Sequence, residues 1–178
     1  MADFFDALEQ KHIDFIAEQK MFFVATAPKE GRISLSPKGL DSFRIISPTE
    51  VAYLDFVGSG NETAAHLLDD GRITIMFNSF SRNALILRLY GRGKSHAPGS
   101  GRFNDLMPLF NECLGIRQIF TIRIDSIQTS CGYGVPVYDL VEERKTLGKW
   151  CEKKGEQGLR DYFEEKNRTS IDGLPTME

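Results

Sequence analysis

The sequence predicts a mainly β protein, an antiparallel barrel with peripheral helices. Three observations predict it. Short runs rich in Phe, Ile, Val and Thr recur from residue 21 to residue 129. The links between most of them have hairpin length, too short for the crossover helices of a parallel sheet. Helical periodicity is confined to the start, the middle and the end of the chain. One domain accounts for 178 residues. Within it we assign a helix to 1–20, the barrel to 21–138 and a charged helical extension to 139–178.

The elements follow in order. Phe4, Phe5, Leu8, His12, Phe15 and Ile16 recur at helical spacing, so 3–19 is expected to be an amphipathic helix capped by Asp3. Met21–Thr26 and Arg32–Ser36 are strands joined through Lys29-Glu30-Gly31. In the second, Ile33 and Leu35 share one face and Ser34 and Ser36 the other. Pro37 is expected to stop its ladder. Phe43–Ile46 and Val51–Val57 pair across Ser47–Glu50. Ser59 to Glu62 has capping-box spacing, Ala64, Leu67 and Leu68 form a helical stripe, and Gly71 closes that helix. Strands Arg72–Asn78 and Leu85–Lys94 come next, then a helix within Arg102–Leu114. Arg117–Thr129 is a long strand with Phe120, Ile122 and Ile124 inward and Arg123 and Asp125 outward. Of the 27 residues 142–168, 15 are charged, which fits a solvated helix resting on Leu147, Trp150, Leu159, Tyr162 and Phe163.

Composition removes several function classes. The net charge of −3 argues against nucleic-acid binding by bulk electrostatics. No apolar run spans a bilayer and no signal peptide is evident, so a cytoplasmic protein is expected. Cys113, Cys131 and Cys151 are odd in number and dispersed, as are the three histidines. That argues against a metal site and a thioredoxin-like pair. A scattered Cys131–His66 triad stays open. Gly91-Arg-Gly-Lys-Ser95 ends like a phosphate loop, but Arg88 stands where the first glycine is required. The 13 phenylalanines exceed what a small barrel is expected to turn inward, so part of them is assigned to a surface shared between subunits.

Four segments are candidate sites. Gly58-Ser-Gly-Asn-Glu-Thr63 passes from strand to helix, and Gly60, Asn61 and Thr63 suit an anion at a helix start, against the bland reading of an ordinary capped helix. Ser34, Ser36, Pro37 and Lys38 bring polar groups and a cation to a strand end, or else form an exposed corner. Arg82 and Asn83 occupy a turn, and Arg88 interrupts an apolar strand, where a buried charge needs a partner. Cys131, Gly132 and Tyr133 follow a long strand, as a site loop or a plain turn.

Taken in order, these pieces resemble the pyridoxamine 5'-phosphate oxidase-like family, the FMN-binding split barrels. The carriers are Phe22–Thr26 with Arg32–Lys38, the run Tyr53 to Thr63, the stretch Leu67 to Phe77, and Arg88 to Lys94. The tail, Ser170-Ile-Asp-Gly-Leu-Pro175, points to a branch other than the vitamin enzyme. The resemblance implies a homodimer with FMN at the subunit interface. It places Arg32 to Lys38 along the flavin ring, and Phe56 with Gly60–Thr63 by the ribityl chain and phosphate. Arg82 and Asn83 fall near the flavin, and Cys131–Tyr133 is the partner's contribution. Glu62 and Thr63 stand where the oxidase has an Arg-Lys pair on the phosphate, so Lys38 or Arg82 would supply that charge. An FMN-dependent oxidoreductase of unassigned substrate is the implied function. A non-catalytic flavin, deazaflavin or haem carrier is the alternative.

Overall fold

A computed structural model describes residues 2–177. Eight antiparallel strands form one sheet. In chain order they are β1 (Asp3–Phe5), β2 (Phe22–Thr26), β3 (Ser34–Lys38), β4 (Phe43–Ser47), β5 (Glu50–Phe56), β6 (Arg72–Asn78), β7 (Ile86–His96) and β8 (Ile116–Ser130). The spatial order is β3-β2-β6-β7-β8-β5-β4, with β1 added on β8. β3 and β4 are therefore the two ends of the sheet, although a four-residue turn joins them. The barrel is split at that turn.

The inner face holds the main core. Phe22, Tyr53, Phe77 and Phe120 are buried, and Phe43 packs against them. Their rings meet edge-on or tilted, with centroids 4.9 to 5.7 Å apart, distances at which aromatic pairs attract beyond their area. This corrects the expected use of phenylalanine. Interlocked rings fill the barrel, and among the named phenylalanines only Phe4 stands largely in solvent. The exposed apolar residues are others: Ile33 (77 % exposed), Leu35 (67 %), Tyr133 and Val141.

The N-terminus departs from the expected single helix. Asp3–Phe5 is a strand, with Phe5 opposite Ile127, and the helix α1 spans Gln10–Glu18. β5 pairs with β8 as far as Arg123, so the last third of β8 offers free backbone groups on that side, and β1 satisfies them. The cap of α1 is Glu9 in place of Asp3, and its backbone N–H donates to His12 Nδ1 at 3.0 Å.

Pro37 does not stop the ladder. It lies inside β3 opposite Phe23, tolerated because β3 is an edge strand whose other side makes no pair in the sheet. The β2–β3 link is longer than expected, running from residue 27 to residue 33. Helix α2 (Glu62–Asp69) buries Ala64, Ala65, His66 and Leu67 but leaves Leu68 outward. Gly71, at φ 87°, closes it. Helix α3 (Gly101–Leu106) runs into one 3₁₀ turn, Met107–Leu109, and covers the outer face of β5 and β8 through Phe103, Leu106 and Phe110. Helix α4 (Thr146–Lys166) is broken at Gly155, where φ is 63° and ψ 173°. Its apolar side, with Cys151 and Leu159 buried, packs on Val57 of its own chain. Among the described residues no helix is long and apolar enough to cross a membrane.

Candidate functional site

The split between β3 and β4 opens on a cavity of about 1130 Å³. One wall is Pro37, Lys38, Gly39 and Leu40. Gly58 and Ser59 form its floor, Phe80 and Ser81 a second wall. Tyr138, Trp150 and Tyr162 complete its lining. Phe80 and Tyr138 stack at 5.5 Å, and the Phe80 carbonyl accepts the Tyr138 N–H at 3.0 Å, which fixes the loop that carries Tyr138.

The turn beside Leu40 is strained. Leu40 and Asp41 have φ of 60° and 54°, a left-handed conformation that side chains other than glycine disfavour. The Arg44 guanidinium holds this turn by donating to both Asp41 carboxylate oxygens at 3.0 Å and to its carbonyl at 2.8 Å.

Polar groups converge behind the cavity. Asp55 is 3 % exposed, and a carboxylate so buried needs partners. Arg117 donates to Asp55 Oδ2 through Nε and Nη2, each at 2.8 Å, and Gln118 Nε2 adds a third bond at 2.9 Å. Lys38 Nζ stands 3.7 Å from the other oxygen. This arrangement depends on a bulge. Asp55 pairs with Gln118 while Phe56 pairs with Ile116, so Arg117 is the extra residue on β8, and the bulge re-aims its side chain. Arg117 Nη1 also donates to the Gly60 carbonyl and to Asn167 Oδ1.

Next to this network lies the strand-to-helix turn. No side chain caps α2. Asn61 is committed elsewhere: its oxygen accepts from Gln118 at 2.8 Å and its nitrogen donates to the Asn167 carbonyl at 3.2 Å. Glu62 does not close a capping box. Its carboxylate accepts the Ile171 N–H, from the chain's C-terminal segment, at 3.0 Å. Thr63 is buried. The Tyr53 hydroxyl faces Thr63 without a hydrogen bond of normal geometry, and burial beside Asp55 pushes its pKa well above the usual phenol value. His66 is buried; its Nδ1 lies 3.0 Å from Thr26 Oγ1 and its Nε2 3.9 Å from Glu62. Held there, it does not serve a triad with Cys131, which is exposed at the end of β8.

The candidates from the sequence therefore sort into groups. Pro37 and Lys38 line the cavity. Gly60, Asn61, Glu62 and Thr63 gather beneath the C-terminal segment, and Arg32 joins them through Asp172. Ser34 and Ser36 stand opposite Thr26 and Val24, half-buried, on the side of β3 that also carries Lys38. Phe56 lies elsewhere, against the cluster under α3, because it alternates with Ala52 and Leu54 on the outer face of β5. Arg82 and Asn83 are exposed and line no part of the cavity. Gly132 packs on the Leu85 backbone, while Tyr133 points to solvent. Arg88 meets its need for a partner with Ser130 Oγ at 3.1 Å. Asp55, Arg117, Gln118 and Asn167 were not singled out as site residues. The available signal was the lone acid in Tyr53-Leu-Asp-Phe-Val57, which had to find a partner on a neighbouring strand.

A barrel split at one edge, with an aromatic-lined cavity at the split and an uncapped helix start beside it, defines the split β-barrel class of fold. Residues 8–131 match the family model of pyridoxamine 5'-phosphate oxidase. The chain belongs to that family. It is 37 % identical to ustO, a pyridoxamine 5'-phosphate oxidase family protein of Aspergillus flavus, over 99 % of this chain and 78 % of the relative. Solved structures share the fold at much lower identity. A candidate pyridoxamine 5'-phosphate oxidase of Lactobacillus delbrueckii superposes with a TM-score of 0.55 at 13 % identity, over 69 % of this chain and 94 % of that one. An FAD-binding protein of Mycobacterium smegmatis gives 0.50 at 8 % identity, over 71 % and 97 %.

Proposed function

We propose that the protein binds a flavin, FMN before others, and acts as a flavin-dependent oxidoreductase in a homodimer. The observation that carries this reading is the cavity at the split, with Lys38 on its rim and aromatic rings in its lining. Its volume exceeds what a drug-sized ligand needs. The residues suit a flavin at both ends. Trp150, Tyr162 and Phe80 offer flat apolar surface to a ring system, and Lys38, pinned by Asp55, offers a donor to a heterocycle edge. The uncapped start of α2 and the unpartnered Tyr53 hydroxyl suit an anionic group. Ser34 to Lys38 spans about 13 Å at roughly 3.3 Å per residue, so a ligand lying along β3 reaches both.

FMN, when bound, supplies a hydride acceptor. The chain's residues bind, orient and shield it. Asp55 fixes the Lys38 ammonium at the rim, and the Trp150 and Tyr162 rings give the cavity an apolar lining. Ile33 and Leu35 on the outer side of β3, with Tyr133 and Val141, give a second copy apolar area to cover. The family membership and the FAD-binding neighbour lend the reading support.

Purified protein tests it. Flavin near one per subunit, identified by mass after extraction, and a dimer by ultracentrifugation are expected. Lys38→Ala should weaken FMN about tenfold, the worth of one charge-assisted hydrogen bond. Anaerobic NADH or NADPH should bleach the flavin at a catalytic rate. A bound but inert flavin would favour the carrier, and a colourless protein that takes up no added flavin would end the reading.

A further inference from the structure

We infer that the C-terminal segment 167–176 is a built-in competitor for the anionic end of the ligand, with the Asp172 carboxylate occupying Arg32 where a phosphate monoester would bind. The inference rests on the flavin reading above and names the cation of its anion subsite as Arg32, in place of Lys38 or Arg82.

The segment is a formed structure. Thr169 and Pro175 make an antiparallel bridge, the Gly173 N–H donates to the Ser170 carbonyl at 3.0 Å, and Gly173 adopts φ 79°. That tight turn presents two groups at its tip, the Ile171 N–H and the Asp172 carboxylate. The N–H goes to Glu62, at the first position of α2. The carboxylate takes the Arg32 backbone N–H at 2.7 Å and pairs with its guanidinium. Those bonds hold the Asp172 carboxyl below the usual carboxylate range. Asn167 anchors the segment. Fully buried, it donates to the Gly58 carbonyl at 2.9 Å and accepts from Arg117 at 2.9 Å.

The tip and its receiver are matched in kind to a phosphate and its site. An acid rests on an arginine beside a helix start that no side chain caps, and the buried Tyr53 hydroxyl faces the same turn. Glu62 puts negative charge at this helix start, where an anion site wants none, but it also grips the segment that supplies the carboxylate. Asn167 stays when the tip leaves, because its own contacts lie at Gly58 and Arg117. Release therefore needs only residues 170–174 to lift, which frees the already exposed Arg32 guanidinium from Asp172 and Glu62 from the Ile171 N–H.

The test compares FMN with riboflavin, which lacks the phosphate. In Asp172→Asn the FMN Kd should fall about tenfold, while riboflavin changes less than about twofold. Glu62→Gln, which weakens the tip without touching Arg32, should move FMN in the same direction. Unchanged melting temperatures check that both variants fold. In the wild-type protein, FMN should speed hydrogen exchange of the Ile171 amide and riboflavin should not. The inference is overturned if FMN binds no tighter to Asp172→Asn, if riboflavin tightens equally, or if FMN leaves Ile171 exchange unchanged or slows it. If neither flavin binds any form, the flavin reading fails. Inorganic phosphate at constant ionic strength then decides the competition alone: faster Ile171 exchange upholds it, and no change overturns it.

Discussion

Replacing Arg117 by methionine should be among the most damaging single changes in the chain. Methionine keeps much of the length and removes the charge. The Asp55 carboxylate, 3 % exposed, then loses two charge-assisted bonds and keeps Gln118 and the more distant Lys38. The Gly60 carbonyl and Asn167 Oδ1 lose donors as well. Breaking one side of a buried pair costs about 3–5 kcal/mol. For a chain of this size each kcal/mol lowers the melting temperature by about 2–4 °C, so a fall of roughly 6–20 °C is expected. Urea unfolding followed by far-ultraviolet circular dichroism, beside thermal melts, measures it. The double variant Asp55→Asn with Arg117→Met removes the stranded charge and should regain about 2 kcal/mol over the single one. A loss under about 1 kcal/mol for Arg117→Met, or a double variant no more stable than the single, would refute the idea that this network is a buried ion pair dependent on both partners.

Two further outcomes follow from the structure. Gly91→Ala places a methyl against the Arg123 carbonyl at the β7–β8 bulge, backbone that does not yield, and should cost about 1–3 kcal/mol in the same urea assay; a neutral change would contradict the register. Burial, with Lys11 adding to it, lowers the pKa of His12, and burial lowers that of His96 beside Arg102 and Lys94. Below about pH 6.5 the unfolded chain therefore binds more protons than the folded one, and stability falls as pH drops through that value towards the lowered folded values. Urea midpoints from pH 8 to 5 should show this decline, shallower in His12→Gln; equal slopes would remove His12 from the account.

How much of this was legible varies by element. β6 and the middle of β8 were readable because their periodicity and burial agree: Ile122 and Ile124 go in, while Arg123 and Asp125 go out. The N-terminal segment misled because Phe4, Phe5 and Leu8 satisfy a helical spacing by chance, and the competing demand, an unpaired stretch of β8, comes from residues more than a hundred positions away. The strand-end reading of Pro37 and Lys38 put them where a cavity lies. Phe56 was set beside the site by the resemblance, although alternation with Ala52 and Leu54 puts it on the outer face; it is Arg117, the extra residue of the β8 bulge, that alternation alone does not reveal.

The sequence by itself determined the class of fold, since strand length, hairpin spacing and turn residues are local properties. It determined too that a helix start follows Gly60. Tertiary structure decided what the polar residues do. The bulge brings Arg117 to Asp55, the closure of the sheet brings both to Lys38, and the C-terminal turn brings Asp172 to Arg32 across 140 positions. The physical reason is that a buried charge is satisfied by whichever partner the fold delivers, and that partner leaves no periodic trace in the chain.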